Sequence, residues 1–231
     1  MWRMTRARTT VCAAVAVVSV GLAGCSGSAG GDGSAASSQS GSSSARAAAA
    51  GPSASAASAP TGSKFVEAKG TGLRFAVPDD WKLFDAEAIS SGKDKALIKE
   101  LEKTFSMNAD QLARVFGQLD LMVVGPPVKK FAPNVNVVAN GLTKLPAASD
   151  LATQLEKFGA KTGTPRDETT PLGPAIVVPY TLSSGGNEVK GRSIVLEGPK
   201  GFVTITVSHV DDAAADALTA TILTTAADGR S

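Results

Sequence analysis

The segment between residues 26 and 62 limits where this chain can fold. It consists almost entirely of Ser, Ala and Gly, with Asp32 and Arg46 as its charged residues. Such a composition cannot bury enough apolar surface to offset the entropy lost on ordering. We therefore expect a flexible linker with a root-mean-square reach of about 30–35 Å, followed by one folded domain over residues 63–231 that is long enough to bury a core.

The N-terminal segment has the layout of a secretory signal peptide. Arg3, Arg6 and Arg8 form a basic head, and an apolar stretch runs from Val11 to Leu22. That stretch is about a dozen residues long, whereas a membrane-spanning helix needs roughly 20. The pattern predicts export, and an ordinary cleaved signal peptide is one form that it can take.

The sequence Leu22-Ala23-Gly24-Cys25 resembles the lipobox of bacterial lipoproteins. The resemblance implies a signal peptide over residues 1–24, a diacylglyceryl group on Cys25, and a lipidated cysteine plus linker over residues 25–62. Two acyl chains would anchor the protein stably, because each buried methylene contributes about 0.8 kcal/mol. The implied location is the extracytoplasmic face of the cell membrane.

Cysteine and charge counts exclude several functions. The two cysteines are Cys12, inside the signal segment, and Cys25, so residues 63–231 hold no disulfide and no CxxC site. The same residues carry 19 basic and 20 acidic side chains, a net charge of −1. A domain without a basic field is not expected to bind nucleic acid, and no cofactor is expected.

Hydrophobic periodicity predicts an α+β domain. Apolar runs rich in β-branched residues predict strands, and apolar residues at helical spacing predict helices. Their order predicts an α/β/α sandwich, in which a mainly antiparallel sheet is covered by helices on both faces. The predicted strands are 65–68, 73–77, 119–124, 134–140, 176–182, 191–197 and 202–210, and the predicted helices are 94–105, 108–116, 149–158 and 211–226.

Turn and cap residues make the prediction more specific. Gly198-Pro199-Lys200-Gly201 predicts a hairpin between the last two strands. Pro179 has no amide donor, so its strand should lie at an edge or carry a bulge. Ser149 or Asp150 is expected to cap the third helix, and Asp211 the last one.

Two stretches resemble known domains. Residues 72–81, Gly-Leu-Arg-Phe-Ala-Val-Pro-Asp-Asp-Trp, resemble the opening of PsbP-like domains. Residues 131–138, Phe-Ala-Pro-Asn-Val-Asn-Val-Val, resemble a segment of actinobacterial lipoproteins of the LpqN type. The resemblance implies a PsbP-like sandwich over residues 63–231 and a role as an adaptor or binding partner, with no active site to transfer.

Groups suited to catalysis or metal binding are scarce. His209 is the single histidine, and it is in phase with the apolar residues of its strand, which predicts a structural role. No nucleophile elbow and no phosphate-binding loop occurs in the sequence. Asp79-Asp80 and Asp211-Asp212 could contribute to an oxygen-rich metal site, but turns and helix caps explain them. We expect no catalytic residue and no metal ligand.

The loop from Gly125 to Pro133 is the first candidate binding region. It places Phe131 beside Lys129 and Lys130, a combination that could insert at an anionic lipid surface or into a partner's groove. The alternative is a hairpin connection in which Phe131 folds back onto the core.

The second candidate is an apolar cleft between the sheet and the helices over residues 105–116, because ligand sites are usually concave and apolar. The same residues would serve equally well as plain core. Trp81 is expected to belong to the core, and lining a site is its alternative.

The leading hypothesis is a non-enzymatic, membrane-tethered module that binds an envelope lipid, glycolipid or protein. One alternative is a carboxylate-dependent envelope hydrolase, which requires at least two Asp or Glu side chains converging in one cleft. The other is a purely structural envelope protein, which needs no cavity.

We expect Cys25→Ala to release the chain from membranes, because the substitution removes the thiol that would receive the lipid. Membrane and soluble fractions of cells producing the variant measure this. Cys12→Ala, which changes the other cysteine, is the control and should leave attachment intact. A Cys25→Ala chain that stays attached would contradict the anchoring hypothesis.

Overall fold

The computed structural model describes residues 58–84, 86–93, 95–105, 108–184 and 186–230. The predicted signal peptide, Cys25 and the linker up to residue 57 lie outside the described residues. Among the helices described, none combines the length and the apolar character that crossing a membrane requires.

The described residues form eleven strands and five helices. The strands are β1 (Ser63–Ala68), β2 (Leu73–Pro78), β3 (Lys82–Phe84), β4 (Leu121–Val124), β5 (Asn134–Ala139), β6 (Lys161–Thr162), β7 (Arg166–Thr170), β8 (Gly173–Ser184), β9 (Asn187–Gly198), β10 (Gly201–His209) and β11 (Ala227–Asp228). The helices are α1 (Ala86–Ser90), α2 (Lys95–Phe105), α3 (Ala109–Phe116), α4 (Ala148–Lys157) and α5 (Asp212–Thr225).

The strands form two antiparallel sheets. The large sheet has the order β3-β4-β5-β10-β9-β8-β6, with β7 also paired to β8, and the small sheet has the order β1-β2-β11. Gly198 pairs with Gly201 in the β9–β10 hairpin, as the turn sequence predicted. The single sheet predicted from the sequence is therefore two sheets in the structure.

Strand β10 shows why both faces of the large sheet carry a layer. Val203, Ile205 and Val207 point to one face and are fully buried. The hydroxyl side chains at positions 204, 206 and 208 point to the other face, because neighbours on a strand alternate, and they are at most 3% exposed. Both faces of this strand are therefore shielded from water.

The small sheet and α5 cover the inner face of the large sheet. Phe75 and Val77 of β2 and Ile222 of α5 are fully buried there, and burying each such side chain contributes about 1.5–3 kcal/mol. The amide of Ala76 donates to Thr225 Oγ1 at 2.9 Å, which joins β2 to α5.

The other four helices cover the outer face in two groups. Residues of α1, α2 and α3 pack with Met122 of β4, and residues of α4 pack with Val178 of β8. The predicted sandwich with helices on both faces is confirmed. In addition to the predicted helices, the small sheet forms part of the layer that covers the inner face.

Helix starts agree with the sequence at α3 and α5 but not at α4. Asn108 and Gln111 form a capping box, and Asp211 Oδ1 accepts from the Ala214 amide at 2.8 Å. Helix α4 starts after Ala147, which has extended backbone and no capping side chain. The predicted caps at 149 and 150 are wrong, because both residues already lie in the first turn.

Pro179 lies inside a paired strand, next to a break in the neighbouring one. Its carbonyl accepts from the Gly163 amide at 2.8 Å, so its backbone faces β6 and β7. Three residues, 163–165, lie there opposite two residues of β8. The missing donor falls at this irregularity. The expectation that the strand of Pro179 lies at an edge or carries a bulge is wrong, because β8 is paired on both sides and the extra residue belongs to the neighbouring segment.

A buried arginine joins α5 to the large sheet. The Arg192 side chain is 4% exposed. Its Nε donates to Asp216 Oδ1 at 2.8 Å, its Nη2 to Asp212 Oδ1 at 2.7 Å, and its Nη1 to the Gly191 carbonyl at 2.9 Å. A buried charge is tolerated when it is paired and hydrogen-bonded in this way.

We expect Asp216→Asn to reduce the acid dependence of the free energy of unfolding. Hydrogen bonding to Arg192 lowers the pKa of Asp216. The carboxylate therefore stabilises the fold above the unfolded-state pKa of about 3.9, and this contribution is lost as the pH falls through the lower folded-state pKa.

Urea unfolding at neutral and acidic pH measures the effect. Wild type should lose more stability on acidification than Asp216→Asn. Asp167→Asn, which removes an exposed carboxylate on β7, should behave like wild type. Equal acid dependence in wild type and Asp216→Asn would rule out this role of the ion pair.

Candidate functional site

A cleft of about 380 Å³ lies between the β1–β2 turn, β3, α1 and the end of α3. Its volume falls within the range of roughly 300–1,000 Å³ that is usual for small-molecule sites. The apolar lining residues are Leu83, Phe84, Phe116, Leu119 and Leu121, and the polar or charged ones are Glu67, Lys69, Glu87, Ser90 and Asp120.

The apolar lining combines buried and exposed side chains. Phe116 is the last residue of α3 and is 1% exposed, whereas Leu83 of β3 is 54% exposed. A Cβ on Gly117 would lie 3.7 Å from Ser90 Cβ, so the end of α3 closely approaches α1. The cleft therefore presents one solvent-exposed leucine next to a well-packed apolar side.

Asp120 holds the β1–β2 turn at one edge of the cleft. Its Oδ1 accepts from the Gly70 amide, and its Oδ2 accepts from the Thr71 amide and the Thr71 hydroxyl, each at 2.7 Å. A Cβ at position 70 would lie 2.6 Å from Asp120 Oδ1, so this approach requires glycine. These bonds connect the small sheet to the start of β4 in the large sheet.

Among the described residues, the carboxylates that line the cleft are Glu67, Glu87 and Asp120. Asp120 has both oxygens bound to the β1–β2 turn, whereas Glu87 forms an exposed ion pair with Lys93 at 3.3 Å. A carboxylate with both oxygens bound in this way is a poor candidate for acid–base catalysis. Within the described ranges, no three or more His, Cys, Asp and Glu side chains are grouped so that they could hold a metal ion.

Phe131 does not lie at the surface. The Val128 amide donates to the Phe131 carbonyl at 2.7 Å, and the Phe131 amide donates back at 2.9 Å, which closes a tight turn. The Phe131 side chain is fully buried, while Lys129 and Lys130 are exposed. The prediction that Phe131 inserts into a lipid surface is therefore wrong, because burial in the domain already removes the ring from water. The alternative, in which Phe131 folds onto the core, is confirmed.

Trp81 also belongs to the core. It is 7% exposed and packs with the apolar residues between the two sheets. A Cβ on Gly125 would lie 2.5 Å from Trp81 Cε2, so the indole fills the space at this glycine. Trp81 is not among the residues that line the cleft, and its candidacy as a binding residue is wrong.

His209 has a structural role at the end of β10, as predicted. Its Nδ1 accepts from the Asp211 amide at 2.8 Å, next to the start of α5. Partial burial lowers the pKa of His209, although the nearby Asp211 acts in the opposite direction.

The β1–β2 turn is a part of the cleft that the sequence did not predict. The cleft was expected between the sheet and the helices over residues 105–116, and among the described side chains of that region only Phe116 lines it. The Gly70-Thr71-Gly72 turn was recognised as a turn. Nothing in its residues indicated that Asp120, about fifty positions later, would bind it.

A broader depression of about 660 Å³ lies over β6, β8 and β9. Arg192 lines it, but the hydrogen bonds to Asp212 and Asp216 already occupy this guanidinium. Most of the side chains that line the depression are polar or charged, with Pro179 and Tyr180 as the apolar ones among the described residues. The smaller cleft, with five apolar lining residues, is the better candidate for an apolar ligand.

No protein-family model matches the chain, and no curated protein matches it. Among solved structures, the chain is similar to the solution structure of cyanobacterial PsbP (CyanoP) from Synechocystis sp. PCC 6803, with 14% identity and a TM-score of 0.45 over 74% of this chain and 98% of that one. It is also similar to the crystal structure of PA94, a protein of unknown function from Pseudomonas aeruginosa, with 16% identity and a TM-score of 0.32 over 39% of this chain and 69% of that one.

We expect Asp120→Ala to lower the free energy of unfolding by about 2–3 kcal/mol, because the Gly70 and Thr71 amides lose a charged acceptor. Asp120→Asn keeps one acceptor oxygen and should lose less. Urea unfolding of the two variants measures the difference. Unchanged stability in Asp120→Ala would show that these hydrogen bonds contribute nothing to holding the turn.

Proposed function

We propose that this protein is a membrane-anchored bacterial lipoprotein of the LpqN type that binds an envelope ligand in the cleft bordered by Leu83 and Phe116. The ligand is an envelope lipid or glycolipid, or an apolar segment of an envelope protein. The cleft carries this proposal, since a purely structural protein needs no such volume. The lipobox-like residues 22–25 and the linker support a lipid on Cys25 and an extracytoplasmic location.

The chemistry of the cleft favours an amphiphilic ligand. The exposed Leu83 and the half-buried Phe84 can pack against an apolar group, and burial of apolar surface is the main source of affinity in such sites. Glu67 and Lys69, of opposite charge, border the same cleft and can contact a polar group. A ligand with one apolar and one polar end matches both sets of residues.

Binding is favoured over the rival functions. The hydrolase alternative has less support than binding, because Asp120, one of the carboxylates that line the cleft, has both oxygens bound to the β1–β2 turn. The net charge of −1 over residues 63–231 gives no support to nucleic-acid binding. The proposed activity is therefore contact with a ligand, without turnover.

We expect Leu83→Lys to reduce ligand capture at least about tenfold, because an apolar ligand would have to displace water from a charged group in the lining. The purified protein is incubated with an envelope lipid extract and isolated again, and the bound lipid is quantified by mass spectrometry. Leu83 is 54% exposed, so the variant should remain folded.

Phe158→Lys is the matched control, because Phe158 is 56% exposed and does not line the cleft. It should capture as much lipid as wild type. Equal capture by wild type and Leu83→Lys would remove the cleft from the proposal. A wild-type protein that takes up no lipid and crosslinks to no envelope protein would refute binding altogether.

A further inference from the structure

The turn at Lys129 and Lys130 has an unusual backbone for its sequence. The φ angles are +48° at Lys129 and +67° at Lys130, so both central residues are left-handed. Asn-Gly and similar pairs favour this kind of two-residue turn, because a Cβ in the left-handed region crowds the carbonyl oxygen. Backbone strain of this kind concentrates at functional sites.

The same turn presents two positive charges to solvent. All five residues from Pro126 to Lys130 are exposed, and the buried Phe131 holds the base of the turn. Over the part of the chain that the structure describes, neither lysine forms an ion pair. Both ammonium groups are therefore available to an external anion.

The turn lies at the end of the domain where the linker joins it. Strand β1 begins at Ser63, which pairs with Pro78 at the end of β2. Lys64 Nζ donates to the carbonyls of Asp79 and Trp81, at 2.7 and 2.5 Å. Trp81 in turn packs against Gly125, where the lysine turn starts.

We propose that the Lys129–Lys130 turn binds the anionic headgroups of the membrane to which the linker is anchored, and so orients the domain on the bilayer. This inference rests on the proposed function, because it assumes a membrane anchor at the start of the linker. The cleft is bordered by Lys69 and Gly70, at the opposite end of β1 from Ser63. An oriented domain would therefore hold the Lys69–Gly70 edge of the cleft away from the bilayer, whereas Leu83 lies closer to the lysine turn.

The expected contact is weak on its own and effective next to a tether. Each lysine near an anionic surface contributes about a fivefold increase in the binding constant, or about 30-fold for two lysines. The linker converts this contact into an intramolecular one with a high effective concentration of membrane. Asp79 and Asp80 are exposed at the same end, so the attraction between the domain and the anionic surface should be confined to the lysine turn. Salt should weaken this attraction, because it screens exposed charges.

The test uses the chain from Cys25 onward, coupled through its single thiol to a maleimide lipid in nanodiscs that contain a gadolinium-chelating lipid. This coupling makes the test independent of whether cells lipidate Cys25. In discs with phosphatidylglycerol, the amides of Val128–Phe131 should relax much faster than those of Gly70 and Thr71. In phosphatidylcholine discs the difference should disappear.

Lys129→Gln with Lys130→Gln should lower the docking equilibrium constant about 30-fold. Lys144→Gln with Lys200→Gln removes the same charge from exposed lysines at the opposite end and should have no effect. Three results would overturn the proposal. They are equal relaxation at Val128–Phe131 and at Gly70 and Thr71, faster relaxation of Val128–Phe131 in phosphatidylcholine discs as well, and unchanged docking of the Lys129→Gln, Lys130→Gln variant. Membrane attachment of the natural chain through Cys25 is a separate result, so failure of the anchor and failure of docking are distinguishable.

A second pair of substitutions separates docking from a purely structural turn. Lys129→Asn with Lys130→Gly supplies the favoured turn residues, so thermal unfolding should shift to a higher temperature. Docking should fall as it does in the glutamine pair. Higher stability with unchanged docking would show that the lysines have no membrane role.

Discussion

The fold depends on the burial of both faces of the central strands in the large sheet. On β10, the side chains of Val203, Ile205 and Val207 need an apolar layer on one face, while the hydroxyl residues between them are equally inaccessible on the other. One layer would leave half of these residues in water. The small sheet with α5 on one face, and α1–α4 on the other, satisfy this requirement, and the cleft forms where layers from both faces approach the edge strand β3.

Two polar contacts position layers that would otherwise be joined mainly by apolar surface. Arg192 binds Asp212 and Asp216 in the first turns of α5, and Asp120 binds the backbone of the β1–β2 turn. Apolar burial is non-directional, whereas these hydrogen bonds specify where each layer lies on the sheet. The Asp120 contact also determines one edge of the cleft, which links the geometry of the fold to the proposed binding function.

The sequence predicted most of the sandwich but little of the site. Period-2 runs such as β10 and the cap at Asp211 carry strong local signals, whereas β3 and β11, with three and two residues, are too short for any periodicity. The conspicuous aromatic residues Phe131 and Trp81 proved to be core, because large apolar side chains are conspicuous for packing as well as for binding. A basic residue within the apolar run of β9, together with Asp212 and Asp216 one turn apart, was the available signal for Arg192. The cleft combines segments distant in sequence, which no local pattern reveals.

A photo-crosslinking amino acid at position 90 tests the central claim most directly. Ser90 lies on α1 and lines the cleft, and Thr153 on the exposed side of α4 provides a position outside it. Irradiation of living cells should give a defined adduct of an envelope lipid or protein from position 90 and none from position 153. The same adducts from both positions, or none from either, would contradict a binding site in this cleft.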